Sequence, residues 1–379
     1  MTIHTKNSIT RYILFVFGMT TRKVAMQKQI LIPTFVFFSL FLTSCLTLSN
    51  SKSSKNFQNK NFINPSKVSV DWNQLYYENH SPQVRQFINY SKATKIALKD
   101  YEIPYTYNGT SGNWNTKYLS SKNKIEFMRK NGVDCTRFLW HLYAEQLNLP
   151  YNSKYRNAAI LSQSFAQKRS TIELKNFIPI KKMKNGFKPK TGDILAFPGH
   201  ALAVLDPEKC IAIQSTSWFC KKMSANGTCY EAAKGKEAGV TIYKLMNKGD
   251  CENGVWKQLD SPKNKFTAGW RHKAFNTWIE KMPNKVTNNK VITLIGYNIS
   301  NRFIYFPGNP VPGKTSHAVS QITHLNGEKL DVVHIKVPHK AHTGKLKIYW
   351  GNQIKPDIKM TLESNQILTI ENERMLSSN

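Results

Sequence analysis

The patterned part of the chain begins with helical spacing and continues with short apolar runs of strand length. Apolar residues return every three or four positions from Ser81 to Lys99, which predicts an amphipathic helix. A second helix is predicted from Cys135 to about residue 148. Helices that precede an antiparallel sheet indicate an α+β domain, which we place at residues 71–285. The strand-length runs of this domain are 193–197, 200–205 and 210–214.

Residues 288–375 have a different pattern, with alternating or apolar runs and no helical period. Asn326-Gly327 between two of the runs is a strong hairpin turn signal. The pattern predicts a smaller all-β sandwich, which resembles an immunoglobulin-like binding module, and we expect a protein or a glycan as its partner. The predicted strands are 291–299, 302–306, 318–324, 329–337 and 345–350.

The N-terminal residues have the pattern of a targeting segment. After a short basic start at Met26, an apolar run of about fifteen residues ends in Leu42-Thr43-Ser44-Cys45. This run falls short of the ~20 residues that span a bilayer and matches a signal-peptide core. Its ending resembles the lipobox of bacterial lipoproteins, in which the cysteine, here Cys45, is lipidated and becomes the new N-terminus. The alternative is ordinary secretion with an incidental cysteine.

These features divide the first part of the chain. We interpret residues 1–45 as an upstream extension and lipoprotein signal peptide, and 46–70 as a polar, flexible tether. The lipid anchor implies an extracytoplasmic protein attached to a membrane. Because Leu46 rather than Asp follows Cys45, the resemblance implies the outer membrane, facing the periplasm, if the cell is Gram-negative.

Composition supports folded cores and leaves the meaning of the charge open. The chain has 379 residues, 40% of them hydrophobic, which excludes a disordered protein. Its formal charge of +31 favours an anionic neighbour such as a polyanionic wall, although composition bias alone gives the same number. No compact Lys/Arg run with interleaved aromatic residues is present, so we expect no nucleic acid partner.

The remaining cysteines and histidines indicate disulfides rather than metal. Apart from Cys45 and Cys135 the chain has four cysteines, which allow two disulfides in three connectivities. A zinc site is the alternative, but no C-x-x-C motif and no nearby pair of histidines supports it. Five histidines of the β region are scattered without acidic partners, so we interpret them as solvated strand residues and expect no metal or cofactor. The residues are Cys210, Cys220, Cys229, Cys251, His317, His324, His334, His339 and His342.

A cysteine that begins a helix and a histidine that begins a strand form a candidate hydrolase pair. A thiol attacks as thiolate, which the start of a helix favours at Cys135, and an imidazole can accept the proton. His200 follows Gly199 at a predicted strand's first residue, beside a loop. The alternatives are that Cys135 is a buried structural thiol and that His200 is a packed histidine. We interpret His141, on the far side of the cysteine helix, as a packed histidine.

Strand pairing adds a third residue. A hairpin around residues 206–208 places His200 directly opposite Gln214, and directly opposed side chains have Cβ atoms about 4.5–5.5 Å apart. The Gln214 amide oxygen could then accept a hydrogen bond from the imidazole and fix its tautomer. The alternative is an unrelated polar residue at a strand end, with Ser215 as the nearest substitute.

Together these residues resemble the NlpC-type family of papain-like peptidoglycan peptidases. The resemblance implies a papain-like fold, with an inserted cysteine-containing segment, and a cysteine peptidase that cuts amide bonds in peptidoglycan stem peptides. It also implies that Tyr105 and the backbone N–H of Cys135 help to bind the oxyanion. The matching segments are Pro104-Tyr105-x-x-Asn108-Gly109, Asp134-Cys135-Thr136, Lys190-x-Gly192-Asp193-Ile194, His200 and Gln214.

Departures from the family pattern keep two further functions open. Arg137 stands where the family has a small glycine, and it either binds a substrate carboxylate or crowds the cleft. Crowding would leave an inactive lipoprotein that binds the wall or a partner. The stretch Gly199–Val204 also resembles the histidine segment of CHAP-type enzymes, which makes a related amidase or acyltransferase the other alternative.

Overall fold

The computed structural model describes most of the chain after residue 67. The predicted signal peptide, the lipidation site Cys45 and the tether as far as residue 67 lie outside the described residues, as do Asn108, Gly109 and Asn326. The described ranges are 68–97, 103–107, 113–155, 157–167, 171–184, 186–217, 220–225, 229–232, 238–245, 251–254, 256, 265–324, 327–350 and 360–371.

The described chain mixes helices and antiparallel sheets, with the α-helices confined to its first part. The helix predicted at 81–99 is confirmed as α2. The helix predicted at 135–148 is an α-helix only in its first half and continues as a π-helical segment, His141–Gln146. The α-helices are α1 (Trp72–Glu78), α2 (Pro82–Ala97), α3 (Trp114–Ser120), α4 (Lys124–Asn131), α5 (Cys135–Trp140) and α6 (Ser162–Ala166).

Local capping explains where several helices begin. The Asp71 side chain accepts a hydrogen bond from Gln74 N at 2.9 Å and caps α1. Helix α2 begins with Pro82, whose missing N–H costs nothing in the first turn.

Among the described residues, no helix is both long and apolar enough to cross a lipid bilayer.

The strands form a six-stranded sheet in order β1-β8-β2-β3-β4-β7, a pair β5-β6, and two sheets in the later part of the chain. The strands are β1 (Phe177–Pro179), β2 (Ile194–Phe197), β3 (His200–Asp206), β4 (Ile211–Thr216), β5 (Cys220–Met223), β6 (Cys229–Ala232), β7 (Gly239–Lys244), β8 (Ala268–His272), β9 (Trp278–Lys281), β10 (Lys285–Thr287), β11 (Val291–Tyr297), β12 (Phe303–Tyr305), β13 (Gly313–Lys314), β14 (Ser320–Thr323), β15 (Lys329–Lys336), β16 (Gly344–Tyr349) and β17 (Thr361–Glu371).

The centre of the six-stranded sheet is covered on both faces, so β2, β3 and β4 are buried along their whole length. Alternate residues of β3 belong to different cores. Ala201 and Ala203 join the large core that contains the helices, whereas Leu202 and Val204 join a smaller one. A continuous apolar run is the expected pattern for a strand buried on both faces.

The smaller core is held by a disulfide. Cys210 and Cys251 are bonded, with Cα atoms 5.8 Å apart and a sequence separation of 41. This confirms one of the two expected bridges. The other two cysteines, Cys220 and Cys229, lie on the paired strands β5 and β6. The sequence left the pairing of the four cysteines open, and the second expected bridge stays a prediction.

The strands predicted after residue 288 are confirmed within one to two residues at most ends. They form the sheets β14-β15-β11-β9 and β10-β17-β16-β12-β13, in which only β10 and β17 pair in parallel. The hairpin predicted around Gly327 connects β14 to β15, and Gly327 has a φ of +79°. Four of the five histidines of this region, His317, His334, His339 and His342, are exposed, as expected.

We predict that Gly132→Ala destabilises the protein more than Gly327→Ala. Both glycines have φ between +70° and +79°, where a side chain costs about 1–2 kcal/mol. At residue 132 a Cβ would also lie 1.8 Å from Thr106 Oγ1, whereas at residue 327 no described atom lies within 4 Å. The overlap should add about 1–3 kcal/mol. Urea unfolding of the two variants measures the difference, and equal midpoints would contradict it.

Candidate active site

Cys135 is the first residue of α5, and the residue before it caps the helix. Asp134 Oδ1 accepts hydrogen bonds from Arg137 N at 2.8 Å and from Thr136 Oγ1 at 2.9 Å. Cys135 is buried and is not part of a disulfide. The sequence expectation of a thiol at a helix start is therefore confirmed.

Main-chain hydrogen bonds fix the segment that leads into Cys135. Val133 N donates to Pro104 O at 3.0 Å, and Thr106 N donates to Val133 O at 3.4 Å. On the other side of this loop, Val240 N donates to Ile103 O at 3.0 Å, which attaches the loop to the edge strand β7. The loop that carries the Pro-Tyr motif therefore lies between the sheet edge and the start of the cysteine helix.

Tyr105 occupies the centre of that loop. It forms a parallel bridge with Val133, two residues before Cys135, and only 8% of it is exposed. The backbone position agrees with the expectation that Tyr105 lies near the cysteine. Its role in binding an oxyanion stays a prediction.

His200 and Gln214 contact each other directly. The His200 Nε2 and Gln214 Oε1 atoms are 2.6 Å apart, and both residues are buried. Because an amide oxygen only accepts, Nε2 carries the proton and Nδ1 has the lone pair in the neutral imidazole. The structure thus brings together the two residues that strand pairing had linked, with a defined tautomer.

The strand register that gives this contact differs from the predicted one. A turn confined to residues 206–208 would start the next strand at residue 209, but strand β4 begins at Ile211. A bulge also follows Val204, so Ala203 pairs with Ile213. Continuing this register places Gln214 opposite Leu202, diagonal to His200, and the predicted direct pairing is wrong. The predicted register differs from the observed one by two residues, so Gln214 and His200 still lie on the same face of the sheet. The long glutamine side chain reaches the imidazole along the diagonal.

The start of the cysteine helix reaches the same end of the sheet. Ser215 Oγ donates to Val133 O at 2.7 Å. The register of β3 and β4 places Ser215 opposite Ala201, the neighbour of His200. Ser215 therefore positions the cysteine segment and does not replace Gln214 beside the imidazole.

Burial keeps His200 neutral. Loss of water around the ring lowers the pKa of His200 to about 4, although the hydrogen bond to Gln214 acts in the opposite direction. The Phe197 ring, 5.8 Å away, is part of this apolar surrounding. A neutral imidazole at physiological pH is the form that can accept a proton.

Arg137 is bound within the protein. Its Nη1 atom lies 2.5 Å from Asp134 Oδ2, its Nε donates to Asn115 Oδ1 at 3.3 Å, and its guanidinium lies over the Trp114 ring. Because successive helical residues are about 100° apart, the side chains of Cys135 and Arg137 diverge by about 200°. The pairing with Asp134 offsets a carboxylate charge immediately beside Cys135.

The Gly-Asp motif has a structural contact that the sequence did not reveal. Asp193 is buried, accepts from Lys190 N at 2.7 Å and pairs with Arg271 Nη1 at 2.8 Å. Tyr143 of the cysteine helix donates its hydroxyl hydrogen to Gly192 O. The motif therefore connects the helix to the sheet. Arg271 lies about 80 residues downstream, and no local sequence signal links it to the motif.

His141 is a packed histidine, as the sequence predicts. It is fully buried, and its ring nitrogens contact the hydroxyl groups of Tyr90 and Tyr118. Burial lowers the pKa of His141 to about 3. Through these two contacts His141 anchors the cysteine helix to α2 and α3.

No protein-family model matches the chain, and no curated protein or solved structure matches it either. The functional argument therefore rests on the residues and contacts described above.

We predict that Arg137→Met makes Cys135 less reactive. The uncompensated Asp134 carboxylate would disfavour a thiolate beside it, which should move the pH profile of iodoacetamide alkylation upward by about 0.5–1 pH unit. Arg129→Met is the matched control, because Arg129 lies on α4 and pairs with Glu126 at the protein surface, at 3.7 Å. Superimposable alkylation profiles for the two variants would show that Arg137 has no such effect.

We also predict that acid destabilises the fold between about pH 6.5 and pH 4. Burial lowers the pKa of His200 and of His272 to about 4 and that of His141 to about 3, so the unfolded chain binds more protons than the native one in this interval. Stability is then lost as the pH falls, by up to about 3 kcal/mol for each residue. Asp193, whose pKa burial raises, acts in the opposite direction.

The measurement is the urea midpoint at pH 7.5, 6 and 5. His272→Gln removes one titrating group and should make the dependence on pH shallower. A midpoint that stays constant between pH 7.5 and pH 5 would contradict the assignment of neutral, buried imidazoles.

Proposed function

We propose that this protein is a cysteine peptidase that hydrolyses amide bonds in peptidoglycan stem peptides. The observation that carries the proposal is the 2.6 Å contact between His200 Nε2 and Gln214 Oε1. The sequence predicts His200 from its position at a strand's first residue and Gln214 from strand pairing, and both also match the residue order of NlpC-type peptidases. Their contact is what an imidazole base with an orienting partner requires.

A papain-like fold for residues 71–285 is part of the same proposal. Helix α5, which begins with Cys135, packs against β3 and β4, which carry the histidine and the glutamine. The Val133–Ser215 hydrogen bond brings the start of the helix to the end of the sheet where His200 lies. The start of the helix and the imidazole are thus at the same end of the sheet. Because the alternation of β3 places His200 on the face of the smaller core, the proposal requires its ring to reach Cys135 around the end of the strand.

The mechanism follows from the tautomer. His200 Nδ1 accepts the thiol proton, and the Cys135 thiolate attacks the carbonyl carbon of the scissile amide. The resulting oxyanion collapses to a thioester while Nδ1–H protonates the leaving amine. A water molecule, deprotonated by Nδ1, then attacks the thioester, releases the acid product and restores the thiol. Throughout, Gln214 holds Nε2–H and so keeps Nδ1 directed at the reaction.

The oxyanion requires donors at the start of the helix. The first-turn N–H groups of a helix have no acceptor within it, and the backbone N–H of Cys135 belongs to this set. Tyr105 is the second donor in the proposal, because its loop is bridged to Val133. Such donors are worth about 3–4 kcal/mol in acyl transfer.

The cellular setting belongs to the proposal as well. Lipidation at Cys45 would attach the enzyme to a membrane outside the cytoplasm, in the outer membrane facing the periplasm if the cell is Gram-negative. The +31 charge would favour approach to an anionic wall, an effect screened beyond about 8–10 Å. Residues 288–375 would act as a module that binds a protein or a glycan.

The test is digestion of purified peptidoglycan by the full-length protein, with mass spectrometry of the fragments. We expect new amine and carboxyl ends within stem peptides, and no cleavage by Cys135→Ala. His200→Ala should lose at least about 100-fold in rate. Gln214→Leu should lose more than Gln214→Asn, because only asparagine keeps an amide acceptor for Nε2–H.

Matched controls and alternative outcomes separate the hypotheses. His317→Ala, a change at an exposed histidine of the later strands, should cleave like the parent. Release of whole stem peptides from the glycan would instead indicate a CHAP-like amidase. Wall binding by the parent and by Cys135→Ala, with cleavage by neither, would refute the enzyme proposal and favour a binding lipoprotein.

A further inference from the structure

Two histidines and a glutamate from distant parts of the chain meet at one point. His80, Glu280 and His324 can each offer one ligand atom, and these three atoms lie within 4.8 Å of one another. The rings of His80 and His324 are 3.8 Å apart between centroids. The expectation that His324 is a solvated strand residue without an acidic neighbour is therefore wrong.

Each of the three residues is placed by a different element. His80 lies in the connection between α1 and α2, and His324 follows β14 at the hairpin, where its N–H donates to Glu328 O at 2.7 Å. Glu280 lies at a bulge of β9, since Ile295 pairs with Lys281 but the next residue, Gly296, pairs with Ile279. Bulges commonly redirect a side chain beside a functional site.

One ring nitrogen of His324 is buried without a hydrogen bond. His324 Nδ1 has no hydrogen-bond partner among the described residues and almost no exposed surface. A buried polar atom in this condition costs about 1–3 kcal/mol. Glu280 Oε2 accepts from Trp278 Nε1 at 3.0 Å, which orients the carboxylate and leaves Oε1 as its candidate ligand atom. A cation between the rings would supply the missing partner.

From this geometry we infer that His80, Glu280 and His324 form a zinc-binding site that links the α1–α2 connection to two strands of the later sheet. Two imidazoles and a carboxylate are a common zinc ligand set, and a fourth position stays open to water. Calcium and magnesium prefer oxygen ligands, so the two imidazoles disfavour them. Zinc bonds of about 2.0–2.1 Å put tetrahedral ligand atoms roughly 3.3 Å apart, so side-chain shifts of about 1 Å suffice.

The charges around the cluster permit a cation. Glu280 contributes a carboxylate, and Glu328 lies close enough to His80 to interact with it electrostatically. Arg85 and Lys190 are opposing charges. Lys190 Nζ pairs with Glu328 Oε1 at 3.2 Å. Arg85 Nε donates to main-chain oxygens, to Asn79 O at 2.6 Å and to Tyr76 O at 3.3 Å. Its donors are thus directed at the backbone.

The test is calorimetric titration of ZnCl2 into the full-length protein, without a histidine tag, in mild detergent and after dialysis against EDTA. We expect about one Zn²⁺ per chain and a melting temperature that rises with zinc and falls again with EDTA. CaCl2 should have neither effect. The titration is repeated with Cys135→Ala, which removes the candidate active-site thiol, so the result is independent of the proposed peptidase function.

The variants His324→Ala and Glu280→Gln should each weaken zinc binding by at least about 100-fold, because even groups that only hydrogen-bond to ligands are worth about 10–100-fold. His339→Ala, at an exposed histidine of the same region, is the matched control and should bind like the parent. Circular dichroism checks that each variant is folded, and Glu280→Gln keeps the side-chain shape.

Two results would overturn the inference. One is a parent protein that takes up no zinc and whose melting temperature zinc does not raise. The other is a folded His324→Ala or Glu280→Gln variant that binds zinc as tightly as the parent, which would place the ion elsewhere.

Discussion

The peptide groups of Val133 hold together the three segments on which the candidate active site depends. Its N–H donates to Pro104 O, and its carbonyl accepts from both Thr106 N and Ser215 Oγ. Buried peptide groups must be paired, so this junction has little freedom to rearrange. Cys135, two residues on, is therefore positioned by backbone hydrogen bonds as well as by packing of its helix.

A neutral partner for His200 has a consequence for how the site would ionise. A carboxylate in place of Gln214 would stabilise the imidazolium and hold a positive charge in the buried site. The amide orients the ring without supplying a charge, and burial lowers the pKa of His200 to about 4. Imidazolium then forms readily only when the thiolate is present as its counter-charge, so the two groups of the proposed pair would ionise together.

Much of this arrangement could be predicted from local sequence. Helical spacing located α2, apolar runs located β3 and β4, and strand pairing linked His200 to Gln214 at the end of the sheet that the start of the cysteine helix reaches. The diagonal contact of His200 with Gln214 was predicted as a direct one because the bulge after Val204 has no sequence signal. Because the register error is two residues, both side chains still lie on the predicted face of the sheet.

Long-range partners could not be predicted for a different physical reason. Arg271 pairs with Asp193 because β8 lies beside β2 in the six-stranded sheet, and His80 approaches His324 because the α1–α2 connection lies against the later strands. No periodicity, turn signal or spacing within a segment encodes such distances. His324 was interpreted from its own strand alone, and its nearest ring comes from a connection about 240 residues earlier.

The later strands also support the region that contains the candidate site. His272 ends β8 of the six-stranded sheet, donates to Pro150 O at 2.9 Å and lies 5.2 Å from the Trp350 ring, between centroids. Both residues are buried, and the large core runs from the helices to β17 without interruption. A buried aromatic contact of this kind excludes water from the neutral imidazole. The region after residue 288 is therefore part of what keeps the helices and the sheet in place, whatever else it binds.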